Sequence, residues 1–191
     1  IDRADDLAAA FNAMTEQLRL DNDALIAENA PLFDKAGNLA KGDTSADIDV
    51  STTVKEVNSA RITLETDTYW YGHGAAHGNY GSTYSHFLIA EARPLVAADV
   101  FTGKGWQKQF VALVLTQAKA DLGDEYQGDD SNGDLSKVIA DPSRWEFTDA
   151  GISVHFNPYA VAAYARGEVD VTVSWNDLAD IVTDTAQNLS Y

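Results

Sequence analysis

Three of the four histidines, His73, His77 and His86, gather in and beside the segment YGHGAAHGNYGS, residues 71–82, which also holds four glycines. Imidazole is the commonest side-chain metal ligand near neutral pH. His73 and His77 have the H-x-x-x-H spacing that presents two rings to zinc when a helix holds them on one face, and His86 is placed to be a third ligand. Glycines at 72, 74, 78 and 81 oppose such a helix. Gly74 also stands where the metalloprotease motif needs glutamate directly after its first histidine. The same glycines miss the dinucleotide fingerprint, because Gly72, Gly74 and Gly78 carry one residue too many and a strand follows instead of a helix. The segment therefore reads as a glycine-shaped connection between two strands, with histidines that hydrogen-bond the backbone. Around it stand Tyr69, Trp70, Tyr71, Tyr80 and Tyr84, aromatic side chains of the kind that interfaces and sugar-binding surfaces use.

Other chemistry is weakly marked. The stretch GDDSNGD, residues 128–134, is acidic like a calcium loop, yet with Gly133 as the sixth position the register places Gly128 first and Ile139 last, where Asp and Glu belong. It reads as an Asn-Gly turn in a solvated loop. There is no cysteine, which removes disulfides, thiolate nucleophiles and Cys-ligated zinc. No G-x-S-x-G nucleophile elbow occurs, and 30 acidic residues make chance carboxylate pairs inevitable. His155, between Val154 and Phe156 in an alternating run, points opposite to both and reads as a surface or edge residue. No catalytic residue, metal ligand or cofactor is assigned.

The 30 acidic side chains face only 13 basic ones, for a net charge of -17. That surface repels nucleic-acid phosphates and anionic lipid, and its long-range field favours cationic partners. A plainer reading is that the acids keep a secreted domain soluble. No run approaches the roughly 20 apolar residues that span a bilayer, so this segment is expected to make no membrane contact. The chain opens at Ile1, and an upstream anchor or signal peptide is expected before it.

The elements that must position these residues follow from periodicity. From Asp5 to about Asn29, Leu7, Phe11, Met14, Leu18 and Leu25 recur at spacings of 4, 3, 4 and 7, one stripe of a helix packed on a sheet, which Pro31 ends. Residues 34–49 read as a loop. Residues 54–71 and 80–91 read as strands on either side of the glycine loop, and residues 105–120 as a second helix. Residues 123–134 read as a loop. Trp145 and Phe147 alternate before Asp149-Ala150-Gly151, and Ile152, Val154 and Phe156 after it, a hairpin pattern. Val169, Val171 and Val173 form another strand, and Ser174 caps a final helix carrying Leu178, Ile181, Val182 and Leu189. The sum is α+β, a mostly antiparallel sheet with helices packed on one face, in a single domain over residues 1–191.

Two segments together resemble a known family. Residues 72–101, GHGAAHGNYGSTYSHFLIAEARPLVAADVF, are similar to its G-G-A-H-G segment, polar strand and L-x-x-D-x-F turn, with Gly74, Ala76, His77 and Gly78 on the G-A-H-G core and Ala75 inserted. Residues 145–182 are similar to its C-terminal signature, with Phe156, Pro158 and Tyr159 on an F-x-P-Y turn. The family is the RsiV-like domain, domain of unknown function 3298, usually preceded by companion domain 4163. The resemblance implies a companion-like part over 50–120 and an RsiV-like part over 121–191, after an N-terminal helix and connection over 1–50. It further implies an extracytoplasmic module (periplasmic, secreted or anchored outside the cytoplasm) without catalytic residues. In some members this module binds lysozyme from a membrane-anchored anti-sigma factor, and in others it accompanies a peptidoglycan deacetylase.

The expectation is a non-catalytic binding or sensing module of the bacterial cell envelope. Its contacts are assigned to Tyr69, Tyr71, His73, His77, Asn79, Tyr80, Asn157 and Tyr159, and its partner to a basic protein such as lysozyme. The alternatives are a peptidoglycan-binding accessory domain and, less favoured, a zinc-dependent hydrolase using His73 and His77.

Overall fold

In the computed structural model, residues 3–31, 35–41 and 45–190 are described. The β-branched runs β1 (Ala46–Val57) and β2 (Arg61–Gly72) pair antiparallel across a tight turn. Asn58 shapes that turn, its Oδ1 accepting from the amides of Ala60 and Arg61 at 2.9 Å. The glycine loop joins β2 to β3 (Asn79–Leu88), and the short β4 (Arg93–Pro94) closes a sheet of order β1-β2-β3-β4. Helices α2 (Ala97–Val100), α3 (Trp106–Leu122) and α4 (Asp134–Ile139) lead to a second antiparallel sheet of β5 (Trp145–Phe147), β6 (Gly151–Phe156) and β7 (Val169–Ser174).

The N-terminal helix α1 (Arg3–Glu28) lies on the outer face of the first sheet. Leu7, Phe11, Met14 and Leu18 are half-buried, and Phe11 meets Phe87 edge-on at 5.3 Å. The main core lies elsewhere. Trp145, Phe147, Ile152, Val154, Phe156, Val171 and Val173 present one apolar face of the second sheet to Phe110, Val114 and Ala118 of α3. Phe101, Trp106, Phe110 and Trp145 interlock within it, with Phe101 stacked on Trp106 at 4.4 Å and edge-on to Trp145 at 5.2 Å. Such ring pairs add about 0.5–1.5 kcal/mol each beyond burial. The Trp145 indole donates to the Ile139 carbonyl at 2.7 Å, so the largest core side chain leaves no donor unpaired.

The α+β class, strands on both sides of the glycine loop, the 105–120 helix and the 145–156 hairpin are all present, but the run 54–71 is not one strand, because the Asn58 turn divides it between β1 and β2, and the 80–91 run ends at Leu88. There are two sheets instead of one, and the first is covered on both faces, by α1 and by the second sheet. Residues 46–49, read as loop, belong to β1, because the acids Asp47 and Asp49 alternate with Ile48 and Val50. The 123–134 loop gives way to α4 at Asp134. Ser174 does cap a helix, accepting from the Asp177 amide at 3.2 Å, but α5 (Trp175–Leu178) is one turn long. Leu189 is buried in a separate 3₁₀ turn, Ala186–Ser190. No helix among the described residues is long and apolar enough to cross a membrane.

Arg61 joins three parts of this architecture while only 1% exposed. Its guanidinium pairs with Glu56 at 2.7 Å, bonds Thr63, and donates to the Leu189 carbonyl at 2.7 Å and the Phe147 carbonyl at 3.3 Å. Arg61→Leu removes these donors, taking from the Phe147 carbonyl its side-chain partner and leaving the Leu189 carbonyl with only the longer bond from Asn58 Nδ2 at 3.3 Å. Urea denaturation is expected to show a loss of about 2–4 kcal/mol, from unsatisfied buried acceptors at about 1–3 kcal/mol each. An unchanged midpoint would contradict this role.

Candidate functional site

The β2–β3 connection turns through Gly74 at φ +92° and is closed by Ala75 N–H to Gly72 O at 2.9 Å. Tyr71 donates to the Ala75 carbonyl at 3.1 Å and so braces the loop. His77 folds back from it. Its Nδ1 donates to the Gly78 carbonyl at 2.8 Å, which leaves Nε2 to accept from the Tyr159 hydroxyl at 3.2 Å. The imidazole stacks on Tyr164 at 4.1 Å, and the Tyr164 hydroxyl donates to the same Gly78 carbonyl at 2.9 Å. Tyr80 meets Tyr164 edge-on at 6.1 Å. Gly78 admits the Tyr69 ring, since a Cβ there would lie 2.2 Å from the phenol oxygen.

The outcome is an aromatic ledge drawn from the loop and from the segment after β6. Tyr159 is 58% exposed, Tyr69 47% and Tyr80 38%. Tyr159 has φ +72°, a left-handed conformation that costs a residue with a Cβ about 1–2 kcal/mol. The His77 hydrogen bond and the Tyr164 ring, 5.2 Å away, hold it there.

Two cavities border the ledge. One of about 320 Å³ is lined by Tyr69, Tyr80, Ser51, Ser82 and three carboxylates, Asp49, Asp67 and Glu168. The Ser82 hydroxyl contacts Asp67 at 2.8 Å and Glu168 at 3.2 Å. The other, of about 290 Å³, is lined by Thr68, Trp70, Asn79, Thr83, Arg144 and Asn157, with Tyr80 and Gly81 at the rim it shares with the first.

Of the residues expected from sequence, Tyr69, His77, Asn79, Tyr80, Asn157 and Tyr159 line the ledge or its cavities. Tyr71 supports the loop from within. His73 turns to the β1 side, its Nδ1 3.1 Å from Ser45 Oγ and its Nε2 3.3 Å from Asp47 Oδ1. His86 is buried, its Nε2 donating to the Trp145 carbonyl at 2.8 Å and its Nδ1 accepting from Thr63 at 3.0 Å. The three clustered histidines thus have separate partners, and no three His, Asp or Glu side chains among the described residues converge to hold a metal. Tyr164, Arg144 and Glu168 were not expected. Tyr164 sits in a small-residue stretch with no periodicity, and the other two reach the ledge only through tertiary packing.

Comparison with known proteins finds a likeness in the C-terminal part. The model described as "Protein of unknown function (DUF3298)" matches at residues 98–176. The chain is also similar to the crystal structure of a DUF3298 family member from Bacteroides fragilis, with TM-score 0.59 and 22% identity over 91% of this chain and 67% of that one. A DUF3298 family protein from Pseudomonas aeruginosa gives TM-score 0.57 and 18% identity over 74% of this chain and 64% of that one. The chain thus spans about two thirds of either structure, and at these identities the likeness is one of fold. No curated protein matches.

Within the matched residues, His155 corrects the surface reading made from sequence. It does point away from Val154 and Phe156, but it is 5% exposed, because the first sheet covers that side and Tyr84 meets its ring edge-on at 5.9 Å. Its Nδ1 bonds Asp170 at 2.8 Å. Its Nε2 lies 3.2 Å from Glu168 as an ion-pair contact without an aligned hydrogen bond. Burial works against the imidazolium, but the Asp170 bond and the Asp170 and Glu168 charges outweigh it, and the pKa lies above the ordinary histidine value. His86 is the opposite case: burial, with the Arg61 charge adding to it, lowers its pKa to about 3.

The signs follow from linkage. The contribution of His155 is full below the unfolded pKa near 6.5 and is lost as pH rises through the raised folded value. For His86 the unfolded chain takes the proton more readily, so stability falls as pH drops from about 6.5 towards 3. His86→Gln is expected to flatten this acid limb in urea melts. His155→Gln is expected to cost most near pH 6 and progressively less at alkaline pH. A constant difference from the unaltered protein at all pH values, in either variant, would contradict the assignment.

Proposed function

We propose that the chain is a non-catalytic extracytoplasmic binding module of the bacterial cell envelope, whose partner docks on the ledge formed by Tyr69, His77, Tyr80 and Tyr159. The observation that carries this reading is Tyr159. A large aromatic side chain more than half exposed, set in a strained backbone conformation and locked by His77 and Tyr164, is a pre-organised contact. Strain at an exposed residue supports a recognition role, and rigid aromatic anchors dominate binding energy at interfaces. His77 spends both ring nitrogens on this arrangement.

Charge supports a basic protein as the partner. Asp49, Asp67 and Glu168 line a groove walled by Tyr69 and Tyr80, suited to a lysine or arginine side chain, and the net charge of -17 would speed the approach of a cationic protein. Lysozyme is the partner that the RsiV-like resemblance implies. The peptidoglycan-binding alternative has its own support in the second cavity, where Trp70, 39% exposed, stands among amides and hydroxyls. The zinc-hydrolase alternative finds no support in the separate partners of His73 and His77.

Calorimetric titration with a c-type lysozyme, at low salt and at about 0.5 M salt where charges are screened beyond a few Å, tests the reading. One-to-one binding that survives the salt is expected, with Tyr159→Ala weakening it about tenfold or more. Binding that disappears with salt, or that Tyr159→Ala leaves unchanged, would reject this partner, and sedimentation with purified peptidoglycan then tests the alternative.

A further inference from the structure

Arg144 ends the 3₁₀ turn Pro142–Arg144, whose first amide is capped by Asp141, and its guanidinium lines the 290 Å³ cavity. One terminal nitrogen, Nη1, is committed: it donates to the Ser82 carbonyl at 2.9 Å and to Asn157 Oδ1 at 2.8 Å. Both acceptors are neutral, and among the described residues no carboxylate lies within ion-pair distance of the guanidinium. The charges of Asp141 and Glu168 reach this half-buried guanidinium, but neither carboxylate bonds to it, and its direct partners are a carbonyl and a carboxamide. Guanidinium is shaped for two parallel hydrogen bonds to a planar oxyanion.

A second observation concerns the same cavity. Asn79 lines it, and its Oδ1 is a buried acceptor with no hydrogen-bond partner among the described residues. Orphaned buried acceptors are uncommon in native proteins and call for an explanation. A third is the arrangement of Gly81 and Asn157. A Cβ on Gly81 would lie 2.2 Å from the Asn157 amide nitrogen, so the glycine lets that carboxamide lie flat over β3, where it lines the cavity and accepts from Arg144. Finally, Trp70 is held in place by a bond from its Nε1 to Asn29 of α1 at 3.2 Å and by its close approach to Gly72. The cavity is at the lower end of the 300–1,000 Å³ range of small-molecule sites, room for one ring.

We propose that this cavity binds a carboxylate carried on a sugar ring, with Arg144 taking the carboxylate, the Asn79 and Asn157 carboxamides taking ring substituents, and Trp70 offering apolar surface to the pyranose. The charge of the arginine selects the acid and the aromatic surface selects the ring. A simple anion meets the acidic field of the chain without the aromatic contact that would offset it. Both the lactyl ether of a muramic acid and a uronic acid have this chemistry. The proposal rests on the binding-module reading but not on a basic-protein partner, since that partner's charge would be met in the acidic groove.

The test is an amide NMR titration of the full 191-residue chain with four sugars: N-acetylmuramic acid, N-acetylglucosamine, D-glucuronate and D-glucose. The expected result is saturable shifts at Asn79, Gly81 and Asn157 with at least one acid, and at least tenfold weaker binding of its neutral counterpart. Which acid binds tells muramic from uronic chemistry. Arg144→Gln is expected to abolish the preference for acid over neutral sugar, and Gly81→Ala to weaken binding by displacing Asn157. Because Arg144 also supports the edge of β3, the comparison of acid with neutral sugar on the unaltered protein is decisive. Equal affinities, shifts that map away from the cavity, or no saturable shift with any of the four would overturn the proposal. Acid-sugar binding together with failed lysozyme titration would reject the basic-protein partner and leave this site standing.

Discussion

The polar seam between the two sheets is the constraint on which the rest of the structure depends. The inner face of the first sheet carries Arg61, Thr63, Tyr84 and His86, all 5% exposed or less, and it packs against a second sheet that offers His155 from its own polar side. A buried polar group without a partner costs several times what a satisfied one contributes, so such a face can be covered only in a register that pairs its groups. His86 meets the Trp145 carbonyl, Arg61 the Phe147 and Leu189 carbonyls, and Lys55 bridges Glu65 and Glu146 at 2.8 and 3.4 Å. Lys55 reaches this position because the β-bulge between Val54 and Glu56 turns it onto the inner face. An apolar seam would tolerate sliding. This one does not.

The fixed register explains how the ledge can be assembled from distant segments. His77 belongs to the loop of the first sheet, whereas Tyr159 and Tyr164 follow the central strand of the second. Their rings meet only if the two sheets hold one relative position, and the seam sets it. Arg144 extends the same logic to the open edge of β3, where its bond to the Ser82 carbonyl satisfies an acceptor that no neighbouring strand covers. The strained backbone of Tyr159 is therefore carried by contacts whose geometry is set a full sheet away.

Much of this was legible in the sequence, and the exceptions have physical causes. Strict alternation at 145–156 and 169–173 gives strands that face one core, and the leucine and phenylalanine stripe at 7–18 gives a helix with one apolar side; such patterns report burial on one face directly. The polar seam breaks that link. His155 alternates with apolar neighbours and so reads as exposed, because period alone cannot say that a second sheet covers the polar side as well. Asp47 and Asp49 hid the start of β1 for a different reason: they are exposed and continue the polar composition of the preceding segment into the strand. At the site, aromatic residues beside glycines pointed to Tyr69, Tyr80 and His77, and the F-x-P-Y turn to Tyr159. Nothing local marks Arg144, Tyr164 or Glu168, whose roles arise from packing across the chain.

Two cavities of opposite chemistry on one β-ribbon follow from the period of a strand. Successive side chains on β2 and β3 point to opposite faces, so Asp67 and Tyr69 pair with Ser82 and Tyr80 on one side, and Thr68 and Trp70 with Gly81 and Asn79 on the other. The first side faces Glu168 and becomes an acidic groove; the second meets Arg144 and Asn157 past the edge of β3 and becomes an amide-rich cavity with one cation. Tyr80 stands at the rim of both. A partner that fills either cavity therefore touches the ribbon that walls the other, and the position of Gly81 beneath Asn157 makes that ribbon's backbone part of the binding surface. The glycines around residues 71–82 are then understood through what lies over them: Trp70 over Gly72, Tyr69 over Gly78 and Asn157 over Gly81, each side chain brought against the backbone because no Cβ stands in its way.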